Sequence, residues 1–320
     1  MIEIIAQSEA MREVMRLAQR VATTDVDVLV TGESGTGKDA LAVFIHAHSQ
    51  RALQPLVKID CAALPSELLE AELFGYERGA FTGATEARPG RLEASHKGTL
   101  ILDEISHLSL GAQAKLLRVT ERREFERLGG RRTIKINARL ITLTNVDLED
   151  AVKRRVFRQD LYQRLKKFLI YVPPLSERRE DIRKLAGGFL KIYAAKHGRS
   201  LTGIAPAALS ILEAYDFPGN VRELANTMER AVIVANGSRI EETDLPQAMH
   251  VAVRVGQKQR ARRQTLAELE ADYICETLEA ARGNKSEAAR MLGISRKNLY
   301  EKLARYKKDV RCQMSDAGDE

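Results

Sequence analysis

A glycine-rich segment near the start of the chain carries the residue types that bind phosphate. It reads GESGTGK, follows the apolar run 26–30 and precedes a helix predicted over residues 39–48. Glycines let successive backbone N–H groups point at phosphate oxygens, and the amino terminus of the helix adds a positive field. Lys38 can reach the terminal phosphates, whereas Asp39 stands where a Ser or Thr hydroxyl would ligate Mg²⁺. The predicted nucleotide-binding residues of this segment are Gly32, Glu33, Ser34, Gly35, Thr36, Gly37, Lys38 and Asp39.

Two acidic residues follow the apolar run 99–102 and could complete a hydrolytic site. Asp103 can hold Mg²⁺, and Glu104 can orient and deprotonate the attacking water. A glycine-rich turn or an acidic strand end is common when it occurs alone. Because both stand at the ends of predicted strands, together they favour an ATPase that uses ATP and Mg²⁺.

Polar and basic residues further along the chain could contribute to the same chemistry. Asn145 follows the apolar run 140–144 and is suited to sensing the γ-phosphate. Arg222 begins a predicted helix and could close the nucleotide from that side. Arg158 and Arg164 could be ordinary solvated arginines, but in a ring of subunits they could enter a neighbour's site as arginine fingers.

The spacing of apolar segments predicts the fold that positions these residues. Short strand-like runs alternate with helical or loop sequence, which is typical of a parallel α/β sheet and predicts such a subdomain over residues 1–172. After Pro173 and Pro174 the strand signals stop, and an all-α lid is predicted over residues 173–246. The predicted strands cover residues 26–30, 56–59, 99–102, 140–144 and 169–172, and the predicted lid helices cover residues 180–196, 206–215 and 221–235.

The remaining sequence predicts a DNA-binding domain after a linker. Residues 247–264 are basic with little apolar periodicity and are interpreted as the linker, residues 265–309 as a helix-turn-helix, and residues 310–320 as a polar tail. Gly293 would form the tight turn between two short helices capped by Ser286 and Ser295. The predicted DNA-contacting residues are Lys285, Ser295, Arg296, Lys297, Asn298, Tyr300, Lys302 and Arg305.

Composition and charge narrow the class of protein. Of the 320 residues, 44% are hydrophobic and 30% are charged, and the formal net charge of +7 suits a polyanionic partner. No apolar run approaches the roughly 20 residues that span a bilayer. The three cysteines are widely separated, which argues against a disulfide framework or a zinc site and favours a reducing cytoplasm. His46 and His48 would face different ways on one helix, so we expect surface residues rather than metal ligands.

Three long motifs together resemble one family. Residues 79–84 read GAFTGA, residues 32–38 read GESGTGK and residues 218–224 read PGNVREL. With these motifs the segment 5–246 resembles the AAA+ domain of sigma-54-dependent transcriptional activators, the bacterial enhancer-binding proteins. Residues 284–296 are similar to the Fis-type helix-turn-helix that usually closes such activators.

The resemblance implies a function and a role for each candidate residue. Asp103 and Glu104 would form the Walker B pair, Thr144 and Asn145 the first sensor, Arg158 and Arg164 the arginine fingers, and Arg222 the second sensor. The chain would bind upstream double-stranded DNA, form a homo-oligomer that is a hexameric ring when active, and act on the sigma-54 RNA polymerase holoenzyme. The residues that would contact sigma-54 are Gly79, Ala80, Phe81, Thr82, Gly83 and Ala84.

The GAFTGA segment also has a physical interpretation of its own. Its glycines and alanines make a loop tip that is easily remodelled, with Phe81 as an exposed apolar contact and Thr82 as a hydrogen-bonding one. A simple turn with Phe81 folded into the core is the alternative.

Asp60 departs from the family pattern. An Asn usually stands at this position and is thought to hold the catalytic Glu away from water until the target engages; here the segment reads IDCAA. An Asn amide can donate a hydrogen bond to Glu104, whereas an ionised Asp60 cannot. Two carboxylates about 4 Å apart repel by about 4 kcal/mol at an effective dielectric constant near 20, so either they share a proton or Glu104 swings toward the water. We favour the second outcome, which predicts a high basal ATPase rate.

Two other functions are compatible with parts of the sequence. A DNA-binding repressor could use the AAA+ domain only for assembly, but such a scaffold needs neither GAFTGA, nor Glu104, nor finger arginines. A AAA+ unfoldase explains neither GAFTGA nor the helix-turn-helix. Because the nucleotide-binding domain begins almost at Met1, we expect no N-terminal regulatory domain, so that a separate protein controls the activity or such a domain has been removed.

Overall fold

The computed structural model describes residues 4–253 and 284–306 and, between them, residues 270–271, 273–275, 277–278 and 281; for residues 304–306 it describes the backbone. The chain forms two compact units, Met1–Gln247 and Ala248–Glu320. The first contains the α/β subdomain and the lid, and the second contains the helix-turn-helix.

A five-stranded parallel sheet is the centre of the first unit. Its three central strands are buried on both faces, which explains their nearly continuous apolar sequences, whereas the two edge strands are partly exposed. They are β1 (Val28–Thr31), β2 (Leu56–Asp60), β5 (Thr99–Asp103), β8 (Arg139–Thr144) and β9 (Leu169–Tyr171), in the order β2-β5-β8-β1-β9. Asp60 is in register with Asp103, and Thr31 with Thr144, so the polar ends of four strands meet at one edge. The predicted parallel α/β fold is confirmed.

Helices cover both faces of this sheet. On one face α1 (Glu9–Ala22) and α2 (Lys38–Ala47) bury side chains such as Val14, Leu41 and Ile45 against Val30 and Ile101. The other face packs against α3 (Ser66–Phe74), α4 (Arg91–Ala94), α5 (Leu110–Arg122), α6 (Leu148–Lys153) and α7 (Gln159–Leu165). Apolar positions alternate between these two cores along β1, β5 and β8.

Two small antiparallel pairs were not predicted from the sequence. Strands β3 (Gly75–Tyr76) and β4 (Arg88–Pro89) flank residues 79–84, and β6 (Glu124–Glu126) pairs with β7 (Thr133–Lys135). Strands of two or three residues carry too little alternation to be recognised by pattern.

The lid is helical, as predicted. Its helices are α8 (Ile182–Lys196), α9 (Pro206–Ala214) and α10 (Asn220–Val234), with 3₁₀ turns at Leu175–Glu177, Arg179–Asp181 and Glu242–Asp244. The strands β10 (Gly203–Ile204) and β11 (Arg239–Ile240) add one short parallel pair.

The second unit contains two short helices, α11 (Lys285–Met291) and α12 (Arg296–Tyr306). Gly293 has a φ of +66°, which fits the predicted tight turn, and the Ser295 hydroxyl accepts a hydrogen bond from the Asn298 N–H at 3.2 Å, as a cap should. The cap of α11 was predicted at the wrong residue: Asn284, not Ser286, accepts from the first backbone donors of the helix.

The segment predicted as a linker differs at its start. Residues 247–253 are helical, and Met249 is buried. Residues 254–264 of the predicted linker and the whole predicted tail 310–320 lie outside the described residues.

Three further expectations can be compared with the structure. His46 is buried, with Nδ1 at 2.9 Å from the Thr99 hydroxyl, so its prediction as a surface residue is wrong; the strand β5 supplies a polar partner that the helix sequence does not reveal. Cys275 is disulfide-bonded, contrary to the expectation drawn from cysteine spacing, whereas Cys61 is free and buried. Within the described residues, no helix is long and apolar enough to cross a bilayer.

Asp181 ties the start of the chain to the lid. Its fully buried carboxylate accepts hydrogen bonds from the N–H of Gln7 at 2.6 Å, and from the N–H and hydroxyl of Ser8 at 2.8 and 2.9 Å. The Ser8 hydroxyl in turn caps α1 by accepting from the Met11 N–H at 3.3 Å. One carboxylate therefore fixes both the first helix and the beginning of α8.

We expect Asp181→Ala to lower the free energy of unfolding by roughly 3 kcal/mol, because it leaves two buried donors of Ser8 without an acceptor. Calorimetric melting of the full chain measures the change. Asp150→Ala is the control, since Asp150 is exposed and pairs with Arg154 one helical turn away, a contact of about 0.3–0.5 kcal/mol. Equal effects of the two variants would contradict a structural role for Asp181.

Candidate nucleotide-binding site

The glycine-rich segment joins β1 to α2 and lies directly against the lid. Gly35 has a φ of +77°, and a Cβ at this position would lie 2.4 Å from the carbonyl oxygen of Gly219. A side chain is therefore excluded both by the backbone conformation and by the approach of the lid.

Lys38 occupies the first turn of α2 with its ammonium turned into the loop. Nζ donates to the carbonyl oxygens of Gly32 at 2.8 Å and Glu33 at 2.9 Å. Burial lowers the pKa of Lys38, while the carboxylates of Glu104, Asp103 and Asp39 act in the opposite direction. A lysine that has lost hydration in this way gains from contact with an anion, as a phosphate would provide.

The acidic pair stands at the carboxyl end of β5. Glu104 has a φ of +51°, a left-handed conformation that costs energy for a residue with a side chain. Its Oε2 accepts a hydrogen bond from the backbone N–H of Asn145 at 3.1 Å. The structure therefore brings Glu104 and Asn145 together, with the main chain of Asn145 making the contact.

Lys58 forms ion pairs with two acidic residues of the site. The sequence analysis did not identify it. Its Nζ lies 3.0 Å from Asp103 Oδ2 and also contacts Asp39 Oδ1. Burial lowers the pKa of Lys58, but the hydrogen bonds to Asp39 and Asp103 outweigh burial and the pKa is raised. The available signal was the spacing of Lys58 and Asp60 on β2, which puts both on one face beside β5.

Asp60 lines the same cavity as Glu104. The hypothesis that Asp60 influences Glu104 needs this proximity. Its Oδ1 accepts a hydrogen bond from the Ala62 N–H at 2.9 Å, and the Glu104 carboxylate is held by Asn145. Each carboxylate thus has a backbone partner of its own. Nearby Cys61 is buried, and this burial, followed by the charge of Asp60, raises its pKa to about 12, so the thiol stays protonated.

The lid closes the site through two residues at the start of α10. Arg222 donates from Nη1 to the Ser34 hydroxyl at 3.0 Å and from its N–H to the Gly35 carbonyl at 3.3 Å. Its predicted place beside the phosphate loop is where the structure puts it.

Asn220 is a second lid residue that sequence reasoning missed. It is fully buried with a φ of +54°, and its amide donates to Glu33 Oε2 at 2.9 Å and to the Ser34 carbonyl at 3.1 Å. Its Oδ1 accepts from the Leu175 N–H at 2.7 Å. The available signal was an Asn directly after Gly219, because Asn tolerates the left-handed region better than most residues.

These residues surround one cavity of about 970 Å³. Its lining includes the charged groups of Lys38, Asp103, Glu104 and Arg222. It also includes the apolar side chains of Ile4, Val43, Phe44, Phe189, Val221 and Ala225. Charged groups for phosphates together with apolar side chains for a flat ring suit a nucleoside triphosphate.

The two candidate finger arginines have different surroundings. Arg158 is 40% exposed and pairs with Asp160 at 2.7 Å, a contact that raises the pKa of Arg158. Arg164 donates from Nε and Nη2 to the Thr120 carbonyl, at 3.0 and 2.7 Å, near the end of α5. Arg158 lines a separate cleft with Gln159, and neither arginine is among the residues that line the nucleotide cavity.

Residues 79–84 form a compact turn between β3 and β4. The Gly79 N–H donates to the Ala84 carbonyl at 2.8 Å, which closes the loop. Phe81 remains 44% exposed, with its ring edge against Tyr76 at a centroid distance of 5.0 Å, and Thr82 is exposed. Phe81 is therefore not folded into the core.

The predicted DNA-contacting residues lie mostly on the outside of the second unit. Leu299 is buried against Ala288 and Ala289, which orients α12. The exposed members are Lys285, Ser295, Arg296, Lys297, Asn298 and Tyr300. Lys285 lies 5.4 Å from the centre of the Tyr300 ring, and Lys302 pairs with Glu270 at 2.6 Å. The side chain of Arg305 lies outside the described residues.

Comparison with protein families divides the chain in a similar way. Residues 4–171 match the family described as Sigma-54 interaction domain, residues 176–262 match AAA+ ATPase lid domain, and residues 265–306 match Bacterial regulatory protein, Fis family. The lid match extends into the segment that was predicted to be a linker.

Several curated proteins are similar over nearly the whole chain. The regulatory protein AtoC of Escherichia coli K12 is 44% identical over 310 residues, which cover 95% of this chain and 67% of AtoC. The transcriptional regulatory protein ZraR of the same strain is 46% identical over 303 residues, covering 94% of this chain and 68% of ZraR. FlbD of Caulobacter vibrioides is 42% identical over 330 residues, covering 98% and 71%.

Solved structures share the fold. NtrX from Brucella abortus in complex with ADP has a TM-score of 0.72 and 32% identity, covering 96% of this chain and 70% of that chain. The ATP complex of NtrX gives 0.71 and 34%, covering 95% and 69%. A reconstruction of Hsp104, at 18% identity and a TM-score of 0.53, is similar in fold alone, covering 70% and 44%.

Proposed function

The chain belongs to the sigma-54-dependent transcriptional activators, and from this membership we propose that it hydrolyses ATP to open closed promoter complexes of sigma-54 RNA polymerase. The observation that carries the proposal is the cavity in which Lys38, Asp103 and Glu104 meet Arg222 of the lid. It combines a phosphate-binding cation, a metal-holding carboxylate and a base from separate elements. A repressor that used this domain only for assembly would need no base.

ATP fits the cavity with its phosphates along residues 32–38 and its base against the apolar wall. Asp103 would hold Mg²⁺, which would neutralise charge on the phosphates. Among the described residues, no cluster of three or more His, Cys, Asp or Glu side chains could hold a metal ion. Proteins usually bind Mg²⁺ through one or two carboxylates together with the phosphates of a nucleotide, so Asp103 and ATP would supply a sufficient set of ligands.

Glu104 acts as the general base of the proposed reaction. The backbone N–H of Asn145 holds Oε2 at 3.1 Å, which leaves the other carboxylate oxygen to orient a water and take its proton. Lys38 exchanges its two loop carbonyls for phosphate oxygens. Arg222 stands against Ser34, where it can report on the bound nucleotide to the lid.

Arg158 acts on a neighbouring subunit in a hexameric ring. It lies on an exposed surface, and its carboxylate partner, Asp160, is 47% exposed and can release it. An arginine that enters a neighbour's site stabilises the charge of the transition state. Arg164 is the second predicted finger and would first have to leave the Thr120 carbonyl.

Residues 79–84 contact sigma-54, and α12 contacts upstream DNA. The exposed ring of Phe81 and hydroxyl of Thr82 form the tip of a loop whose glycines permit movement during hydrolysis. In the second unit, Arg296, Lys297 and Asn298 stand at the start of α12, the end that reads bases in helix-turn-helix proteins. Because sigma-54 polymerase and promoter DNA are both cytoplasmic, we expect the activity in the cytoplasm.

Glu104→Gln and Thr82→Ala should separate hydrolysis from promoter opening. Glu104→Gln keeps ATP binding but loses turnover by about 100-fold or more, since the base is gone, and it opens no promoters. Thr82→Ala keeps ATPase activity and loses open-complex formation with sigma-54 polymerase. Steady-state hydrolysis and an open-promoter assay measure the two properties. If Thr82→Ala reduces both to the same extent, the loop is structural.

Mixing two inactive variants tests whether Arg158 acts on a neighbour. Arg158→Ala should lower turnover by about a thousandfold, and Lys38→Ala should abolish nucleotide binding. Mixed rings pair some intact sites with intact fingers, so the mixture should hydrolyse ATP faster than either variant alone. Arg183→Ala is the control, because Arg183 is exposed and pairs with Glu213 in the lid. Mixed oligomers without any recovery would show that Arg158 does not act in trans.

Asp60→Asn should lower basal hydrolysis and increase its stimulation by sigma-54. The Oδ1 of Asn can keep the hydrogen bond to Ala62, while its amide gains donors that can restrain Glu104. ATPase rate against pH, with and without sigma-54, is compared for the wild type, Asp60→Asn and the exposed control Asp150→Asn. If the carboxylates instead share a proton, the wild-type rate depends on pH between about 5 and 7 and the variant does not. Superimposable curves for the wild type and Asp60→Asn would exclude Asp60 from this regulation.

A further inference from the structure

Lys58 lies in the nucleotide cavity although it belongs to no phosphate-binding motif. It is a residue of the edge strand β2, and its side chain is 43% exposed. Ile59 next to it packs into the core on the opposite face of the sheet, with Leu100 and Leu102. The alternation of the strand therefore directs Lys58 and Asp60 to the face that α2 covers.

The ammonium group of Lys58 lies between two carboxylates. Nζ is 3.0 Å from Oδ2 of Asp103 at the end of β5, and it contacts Oδ1 of Asp39 in the first turn of α2. Asp103 is 15% exposed, so most of its contacts are with protein. Lys58 thus supplies a positive charge to two carboxylates that repel each other.

Lys58 and Mg²⁺ would use the same oxygen atoms. The proposed metal ligand, Asp103, offers a carboxylate whose Oδ2 already accepts from Lys58. A divalent ion at this carboxylate repels a neighbouring ammonium, so the two cations compete. Lys58 can move away without losing all of its partners, because Asp39 remains.

Asp39 has a role in this arrangement that differs from that of the hydroxyl it replaces. A Ser or Thr after the lysine of this motif ligates Mg²⁺. Here the Asp39 side chain is half-exposed, and its Oδ1 is engaged by Lys58. Its carboxylate is placed to retain Lys58 after the metal has bound.

We propose that Lys58 is an internal counter-ion of the metal site: it neutralises Asp39 and Asp103, and Mg²⁺ displaces it from Asp103 onto Asp39. The inference rests on the proposed ATPase function, since it needs Asp103 as the metal ligand. Lys58 is a positioning residue in this scheme. It lowers the affinity for the metal but allows a polyanionic nucleotide to enter before the metal does.

Metal and nucleotide affinities of the full 320-residue chain test the proposal without a turnover assay. Mn²⁺ binding to the ADP complex is measured by electron paramagnetic resonance, and binding of a fluorescent ADP analogue is measured in EDTA. Lys58→Met should bind Mn²⁺ at least about fivefold more tightly, since one unit charge at about 4 Å contributes about 1 kcal/mol even in bulk water. The same variant should bind ADP more weakly in EDTA.

Two further variants control for charge and for folding. Lys58→Arg retains the positive charge and should bind Mn²⁺ much as the wild type does. Lys135→Met removes an exposed lysine from β7, outside the cavity lining, and should change neither affinity. Unchanged or weaker Mn²⁺ binding by Lys58→Met would overturn this inference. The proposed function, ATP binding and hydrolysis, would not be affected by that result.

Asp39→Asn distinguishes an anchor for Lys58 from a hidden metal ligand. If Asp39 draws Lys58 away from the metal, Lys58 competes more strongly in Asp39→Asn. Adding Lys58→Met then tightens Mn²⁺ binding more in the Asp39→Asn background than in the wild type. A larger gain in the wild type would mean that Lys58 masks a ligating Asp39, which overturns the anchoring role. If the wild type binds neither ADP nor Mn²⁺, this inference and the proposed function fall together.

Discussion

The nucleotide site depends on the contact between the phosphate-binding loop and the lid. The carbonyl of Gly219 comes so close to Gly35 that a Cβ at Gly35 would lie 2.4 Å from it. Asn220 strengthens the contact by donating to Glu33 and Ser34, while its Oδ1 accepts from Leu175. A buried Asn with left-handed backbone persists only where its surroundings compensate the strain, and these hydrogen bonds do so. A change in the loop on nucleotide binding would therefore reach the lid directly.

Charge is distributed in the cavity so that anions and cations are close to balance. Lys38, Lys58 and Arg222 face Asp39, Asp60, Asp103 and Glu104. The two lysines donate hydrogen bonds to carbonyl or carboxylate oxygens, and burial by itself lowers the pKa of each lysine. A polyphosphate or a metal ion that binds alone disturbs existing pairs, because each brings charge of one sign. Metal and polyphosphate together supply both signs, so the fully loaded site is again close to charge balance.

Motifs and apolar runs predicted the sheet, the lid and most of the charged residues that line the cavity, because parallel strands bring their carboxyl ends to one edge. The sequence alone therefore places the carboxyl ends of β1, β2, β5 and β8 at one edge of the sheet. Residues such as Lys58, Asn220 and His46 could not be assigned in this way. Their partners Asp103, Ser34 and Thr99 are distant in sequence, and each role follows from a contact between elements rather than from a local pattern. The hairpins around residues 79–84 and 124–135 were missed because their strands are too short to show a period.

The two arginines at the ends of α7 have different roles. Arg164 packs the helix against α5, and Arg158 is the candidate for stabilising charge in a neighbouring site. Arg164 donates two hydrogen bonds to Thr120 near the end of α5, where a helix leaves carbonyl groups without partners. This contact fixes α7 against α5, together with the buried Leu161 and Leu165. Arg158 stands at the opposite end of α7, where its backbone N–H is bonded to the buried Gln113 and its guanidinium is free to exchange Asp160 for another anion. An arginine finger needs a backbone that is held in place and a guanidinium that can change partners. The hydrogen bond to Gln113 and the exposed ion pair with Asp160 give Arg158 both properties. Arg164 would lose its packing role by reaching outward, so of the two proposed fingers the geometry favours Arg158.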